Sequence, residues 1–234
     1  MVIVSYKADP AAIREILPPG LTPHPEGRVV LNMWDQNDAG SSSGFGNPGP
    51  VSVTYLAIEV EGHDTWTADG TVSAPGRYFA GQWISAEDNG GFAEFGRLSC
   101  GVGSELGDTR YRRTGNRLVA DLTVDGHKCI TLEADIGEDK LVTLGGHLNY
   151  FCDRNDGNDG REIARIAVPF VFEIFDAEIA SVQFDAVTAF RLLGGAPAAA
   201  LAPLTPIDIG SVMFGKATWA PFQVAEAWPS VSKQ

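Results

Sequence analysis

At 234 residues, with 44% apolar and 20% charged residues, the chain has the composition of a globular protein. It holds no run of 18 apolar residues and opens without a basic segment leading into an apolar one, so the expectation is a cytoplasmic protein with neither membrane span nor signal peptide. A formal charge of −13, from 30 acidic against 17 basic residues, argues against nucleic-acid binding, which needs a lysine- and arginine-rich surface.

The chain opens on an apolar stretch, Ile3–Val4–Ser5–Tyr6–Lys7. Asp9 and Pro10 then signal a short helix, with Asp9 as its cap and Pro10 in its first turn. Ile13, Ile16 and Leu17 share one face, and Pro18-Pro19-Gly20 ends it. A strand is expected at about Arg28 to Trp34. Residues 35–50 (DQNDAGSSSGFGNPGP) form a polar, glycine-rich loop, long enough to read as a functional loop or lid. Apolar, β-branched runs follow at 51–60, 78–85, 95–103 and 117–124. In the last, Leu118, Ala120, Leu122 and Val124 alternate with Arg117, Asp121 and Thr123. Further strands are expected at 129–136, 141–151, 163–174 and 178–191, with turns or loops at 152–161 and 194–206. Many strands with short polar turns imply a mainly β protein, an antiparallel barrel or sandwich in one domain over 1–234. Cys100, Cys129 and Cys152 are odd in number and lack metal spacing, so they read as buried reduced thiols.

Several stretches, taken in order, carry a family resemblance. The first is the opening run followed by Asp9-Pro10-Ala11-Ala12-Ile13-Arg14-Glu15-Ile16-Leu17-Pro18-Pro19-Gly20-Leu21. The second is Asn149-Tyr150 with Asp159-Gly160 ten residues on. The third is Ala177-Glu178-Ile179 and then Phe190-Arg191-Leu192. The fourth is Ala202-Pro203-Leu204 and then Pro206-Ile207-Asp208-Ile209. Together they resemble the acetoacetate decarboxylase-like family. The resemblance implies an antiparallel β-barrel body with few helices around an apolar pocket, in a homo-oligomer.

Members of that family work through a lysine Schiff base, and there this sequence departs. The paired lysines of the family fall at Asn89 and Gly90, in Ser85-Ala86-Glu87-Asp88-Asn89-Gly90-Gly91-Phe92. Its catalytic glutamate falls in Asn47-Pro48-Gly49-Pro50-Val51, which has no carboxylate. The lysines present are Lys7, Lys128, Lys140, Lys216 and Lys233, none in a motif for an imine.

Other groups can take over. A carboxylate at Glu87 or Asp88, if set in an apolar pocket, works as a general acid or base; the competing reading is a solvated acidic turn. Arg97 holds a substrate carboxylate or lies on the surface. Trp34 and Trp83 line a cavity or belong to the core. If odd positions of its strand face the pocket, His147 points inward with Asn149 and shuttles a proton; otherwise it is structural. Asn89 and Tyr150 complete the expected substrate contacts. The cluster from Asp153 to Gly160 lacks the glutamate of a calcium loop and reads as a hairpin turn. No metal or cofactor is expected. The leading expectation is an enzyme acting on a carbonyl or hydroxy compound by acid/base chemistry: dehydration, retro-aldol cleavage, cyclisation or isomerisation. The alternative is a non-catalytic small-molecule binding protein with the same pocket.

Overall fold

A computed structural model describes residues 1–36, 51–85, 104–154, 162–184, 204–219 and 223–224. In chain order it gives β1 (Val2–Lys7), α1 (Pro10–Ile16), β2 (Arg28–Gln36), β3 (Val51–Trp66), β4 (Ser73–Ile84), β5 (Glu105–Leu106), β6 (Asp108–Thr114), β7 (Arg117–Val124), β8 (His127–Arg154), β9 (Glu162–Phe184), β10 (Asp208–Trp219) and β11 (Gln223–Val224). The fold is mainly β, as the alternation implied.

The pairings close on themselves. β1 lies between β2 and β10, and β2, β3 and β4 follow one another antiparallel. β4 meets β8 in parallel, with Arg77 opposite Tyr150 and Tyr78 opposite Phe151. β8 pairs with β9, and β9 with β10, which returns to β1. The ring β1-β2-β3-β4-β8-β9-β10 is therefore a closed barrel, a form that hides the edges of its strands. β7 and β6 extend from the first half of β8.

Period-two alternation divides the apolar residues into two cores. One fills the barrel, with Ile3, Val30, Val53, Tyr55, Phe79, Leu148, Tyr150 and Phe170 among its members. The other lies outside the wall, where Val4, Leu31, Leu56, Trp83, Leu122, Ile130 and Phe151 pack with Ile13 of α1. α1 forms as expected: Asp9 Oδ1 accepts from the Ala11 N–H at 3.0 Å, and Leu17 N–H closes on the Ile13 carbonyl at 3.1 Å.

Two strand assignments are corrected. The expected break at Glu138-Asp139-Lys140 is not a turn: β8 continues through it with register shifts between Ile136 and Val142. Likewise β9 joins the two strands expected at 163–174 and 178–191 into one over Glu162–Phe184, and residues 185–191 lie outside the described residues. Gly137 makes this possible, because a Cβ there would fall 1.5 Å from Asp176 Oδ2. The same Asp176 accepts the Asp139 N–H at 3.0 Å. The bend lets one ribbon serve both cores: Ile130–Ile136 pairs with the far half of β9 beside β7, and Val142–Arg154 belongs to the barrel. Residues 95–103 lie outside the described residues.

Candidate functional site

Inward positions of β2 are even, and those of β3 are odd. They bring Arg28, Asn32 and Trp34 opposite Tyr55 and Glu59 within the barrel. β4 adds Arg77 and Phe79, and β8 adds Leu148 and Tyr150. Between apolar walls these strands thread a chain of polar groups. Asn32 Nδ2 donates to Tyr55 Oη at 2.5 Å, and the Tyr55 and Tyr150 hydroxyls are 2.7 Å apart. Arg77 stands opposite Tyr150 across the β4–β8 pairing. Its Nη2 lies 3.6 Å from Glu59 Oε1, and Arg28 Nη1 lies 3.5 Å from Glu59 Oε2. Phe79 stacks on Tyr150 at 4.6 Å and meets Tyr55 edge-on at 5.3 Å, which fixes both phenol rings.

A donor count along this chain leaves a remainder. An amide N–H only donates, so Tyr55 Oη accepts from Asn32. One phenol donates to the other. One hydroxyl proton of the pair is left over, and Asn32 Oδ1 beside it is buried without a partner. A buried unmatched donor and acceptor are costly alone, at about 1–3 kcal/mol each. Side by side they suit a ligand carrying both a carbonyl and a hydroxyl. Burial pushes the Tyr55 pKa well above its ordinary value, with Tyr150 adding to it, so Tyr55 stays protonated. Burial works against the charge on Arg77, but Tyr150, Glu59 and Tyr55 outweigh it and its pKa is raised.

The tyrosine end of the barrel is the end where β2, β4 and β8 finish and β3 and β9 begin. Ser85, buried there, is pinned by its N–H to the Ser52 carbonyl at 3.0 Å and by its Oγ, which accepts the Ser52 N–H at 3.1 Å. The chain enters 86–103 from this fixed point. Glu87, Asp88, Asn89 and Arg97 lie outside the described residues, as does the glycine-rich stretch 37–50.

The remaining expected site residues divide by the parity of their strands. Tyr150 faces the interior, and half-buried Trp34 packs against the inner core at the tyrosine end. Even positions of β8 face inward, so His147 and Asn149 point the other way, correcting the odd-position reading. His147 is exposed, and Asn149 Nδ2 donates to the His63 carbonyl at 3.1 Å. Trp83 is fully buried in the outer core with Leu122.

Asn32, Tyr55, Glu59 and Arg77 were missed by sequence reasoning. The signal for Glu59 was present: it is a carboxylate inside the apolar run VSVTYLAIEV, and a charge in a buried strand needs a buried partner. All described lysines sit at the surface. Lys7, Lys128 and Lys140 pair with Glu26, Asp121 and Glu173, and Lys216 is exposed. Cys129 and Cys152 are buried, and their thiols donate to the His127 and Ala164 carbonyls.

The fold is shared with solved acetoacetate decarboxylases. A solved structure of acetoacetate decarboxylase superposes with a TM-score of 0.69 at 16% identity, covering 98% of this chain and 87% of that one. The acetoacetate decarboxylase from Legionella pneumophila gives 0.65 at 13%, covering 97% and 84%. The enduracididine biosynthesis enzyme MppR, solved with pyruvate, gives 0.58 at 17%, covering 95% and 86%. A family model described as acetoacetate decarboxylase (ADC) matches residues 1–150, and the chain belongs to that family. None of the curated proteins compared with the chain matches it.

Proposed function

We propose that the protein is an enzyme that moves a proton next to the carbonyl of a small carbonyl or hydroxy compound, without forming a lysine imine. The observation that carries this reading is the phenol pair: one uncommitted hydroxyl proton beside the unmatched Asn32 Oδ1, inside apolar walls. A neutral phenol fixed by Phe79 is a preorganised donor to a developing enolate or oxyanion. Asn32 Oδ1 accepts from a substrate hydroxyl. Glu87 and Asp88, which follow Ser85 in sequence, supply the carboxylate that carries the proton, with Asn89, Arg97 and Trp34 completing the substrate contacts. Dehydration, isomerisation and cyclisation through an enolate begin with such a proton transfer, and retro-aldol cleavage ends with one, when the enolate carbon is protonated. MppR with pyruvate supports a carboxylate-bearing carbonyl compound as the substrate class. The surface placement of the described lysines supports chemistry without an imine.

The test is deuterium wash-in next to the carbonyl. Small 2-oxo and 3-hydroxy acids are incubated with the protein in heavy water and followed by proton NMR. Exchange is expected with at least one of them. Tyr55→Phe, Tyr150→Phe, Glu87→Gln and Asp88→Asn should each slow it by about 100-fold, the scale for losing one oxyanion donor or one general base. Borohydride added with the same acids should leave the protein mass unchanged. Exchange at full rate in all of these variants, or a reduced lysine adduct, would sink the reading. Binding without exchange, weakened by the same changes, would favour a non-catalytic small-molecule binding protein.

A further inference from the structure

The barrel has a second mouth, at the end away from the tyrosines, and a cavity of about 190 Å³ opens there. None of Asn32, Tyr55 and Tyr150 lines it. Its charged lining is Arg28, Glu59 and Arg77, facing the apolar side chains of Ile3, Leu148 and Phe170. The cavity has room for a compact organic molecule.

The charged side is incompletely paired. Glu59 and Arg77 are deeply buried, with side chains 4% and 12% exposed. Arg77 Nε and Glu59 Oε2 are both buried without a hydrogen-bond partner. Buried charged groups are ordinarily satisfied by hydrogen bonds as well as by charge. What is left is one donor and one acceptor on neighbouring side chains. Arg28 is shared between Glu59 and Glu26, and Glu26 also holds Lys7, so three cations stand against two carboxylates. The complementary molecule is therefore an anion. It accepts from Arg77, donates to Glu59, and turns an apolar group toward Leu148 and Phe170.

We propose that this mouth is a binding site, separate from the tyrosine end, for a small 2-hydroxycarboxylate with an apolar side chain. The carboxylate takes the Arg77 Nε–H, and its charge balances the surplus cation of the Lys7, Glu26, Arg28, Glu59 and Arg77 group. The adjacent hydroxyl donates to Glu59 Oε2. A simple carboxylate leaves Glu59 Oε2 unmatched, and a 2-oxo acid turns a second acceptor toward it.

The experiment compares three acids of one shape on the full chain by titration calorimetry: 2-hydroxy-3-methylbutanoate, 3-methylbutanoate and 3-methyl-2-oxobutanoate. The hydroxy acid should bind at least about tenfold tighter than the other two, the scale of one hydrogen bond to a charged group. Arg77→Lys, which removes the Nε–H, should weaken it at least about tenfold. Glu59→Gln should erase the preference for the hydroxyl. Tyr55→Phe should leave the affinity within about twofold, because that hydroxyl belongs to the other end. Equal affinity for the three acids, or no saturable binding, would overturn the proposal. Binding lost in Tyr55→Phe but kept in Arg77→Lys would move the ligand to the tyrosine end and overturn it as well. If Arg77→Lys does not fold by circular dichroism, the three-acid comparison on the unaltered chain decides.

Discussion

Whether a side chain touches a ligand in this barrel depends on a parity that the residues alone leave undetermined. Tyr150 and His147 are three positions apart on one strand and face opposite ways. The sequence carried both as candidates because β8 is long and its polar residues fall at odd and even positions alike. A one-residue change of register would exchange them. Trp34 and Trp83 divide in the same manner, one on the inner core and one in the outer. Trp83→Ala should therefore cost roughly 3–5 kcal/mol of stability, as emptying a buried aromatic site does. Trp34→Ala should cost less stability and reduce turnover or ligand affinity instead. Urea unfolding and calorimetry on the two variants separate these effects, and a reversal would mean that the assigned faces are wrong. His147 is exposed, and its backbone carbonyl accepts from Thr65 Oγ1. His147→Ala should leave stability within about 0.5 kcal/mol.

Elements were legible where burial falls on one face only. Arg117–Val124 alternates as expected, with Leu118, Ala120, Leu122 and Val124 buried. Its other face still buries Asp121, held between Arg112, Lys128 and Thr131. β6 went unread because DTRYRRT is mostly charge, on a strand that pairs with β7 alone among the described residues. β8 and β9 were each read as two strands, because a charged triplet and an Asp-Ala pair look like turns when the bulge that absorbs them is unseen. A true turn sits at the tip between β3 and β4. There Asp69 Oδ1 accepts from Thr67 Oγ1 at 2.6 Å, Thr71 Oγ1 at 2.7 Å and the Thr71 N–H at 3.1 Å. The Thr67 bond leads the causes that hold its carboxyl at about 2, below the ordinary 3.8. A depressed carboxylate stabilises the fold above its unfolded pKa, and that contribution is lost as pH falls through the folded one. Asp69→Asn should thus lower the melting temperature at pH 7, and the gap to the unaltered protein should close between about 3.8 and about 2. A gap that stays constant over that range would show that the charge has no part in the turn. Gly215 makes a second test at this scale. A Cβ there would meet the Glu173 carbonyl at 1.8 Å across the β9–β10 pairing. Gly215→Ala should cost about 1–3 kcal/mol as an overpacked site does, read from the urea midpoint.

The whole molecule sets its charges against one another. The chain carries a formal −13, while the cavity at the second mouth has two guanidiniums facing one carboxylate. An anion is therefore repelled by the net charge at a distance and attracted only once it nears Arg28, which is 34% exposed beside the deeper Arg77. Salt acts differently on the two stages. The long-range repulsion is carried by exposed charges, and the screening length shrinks from about 30 Å at 0.01 M salt to about 8 Å at 0.15 M. The buried contacts to Arg77 and Glu59 are screened much less, because water and ions do not surround them. Raising the salt over that range should speed association of 2-hydroxy-3-methylbutanoate and leave its dissociation rate nearly unchanged. This is the opposite of what a cationic surface steering an anion would give. NMR line-shape analysis at several salt concentrations yields both rates. Association that slows with salt would mean that the field at the mouth is positive well beyond the cavity, and that Arg28 draws the anion in from solution.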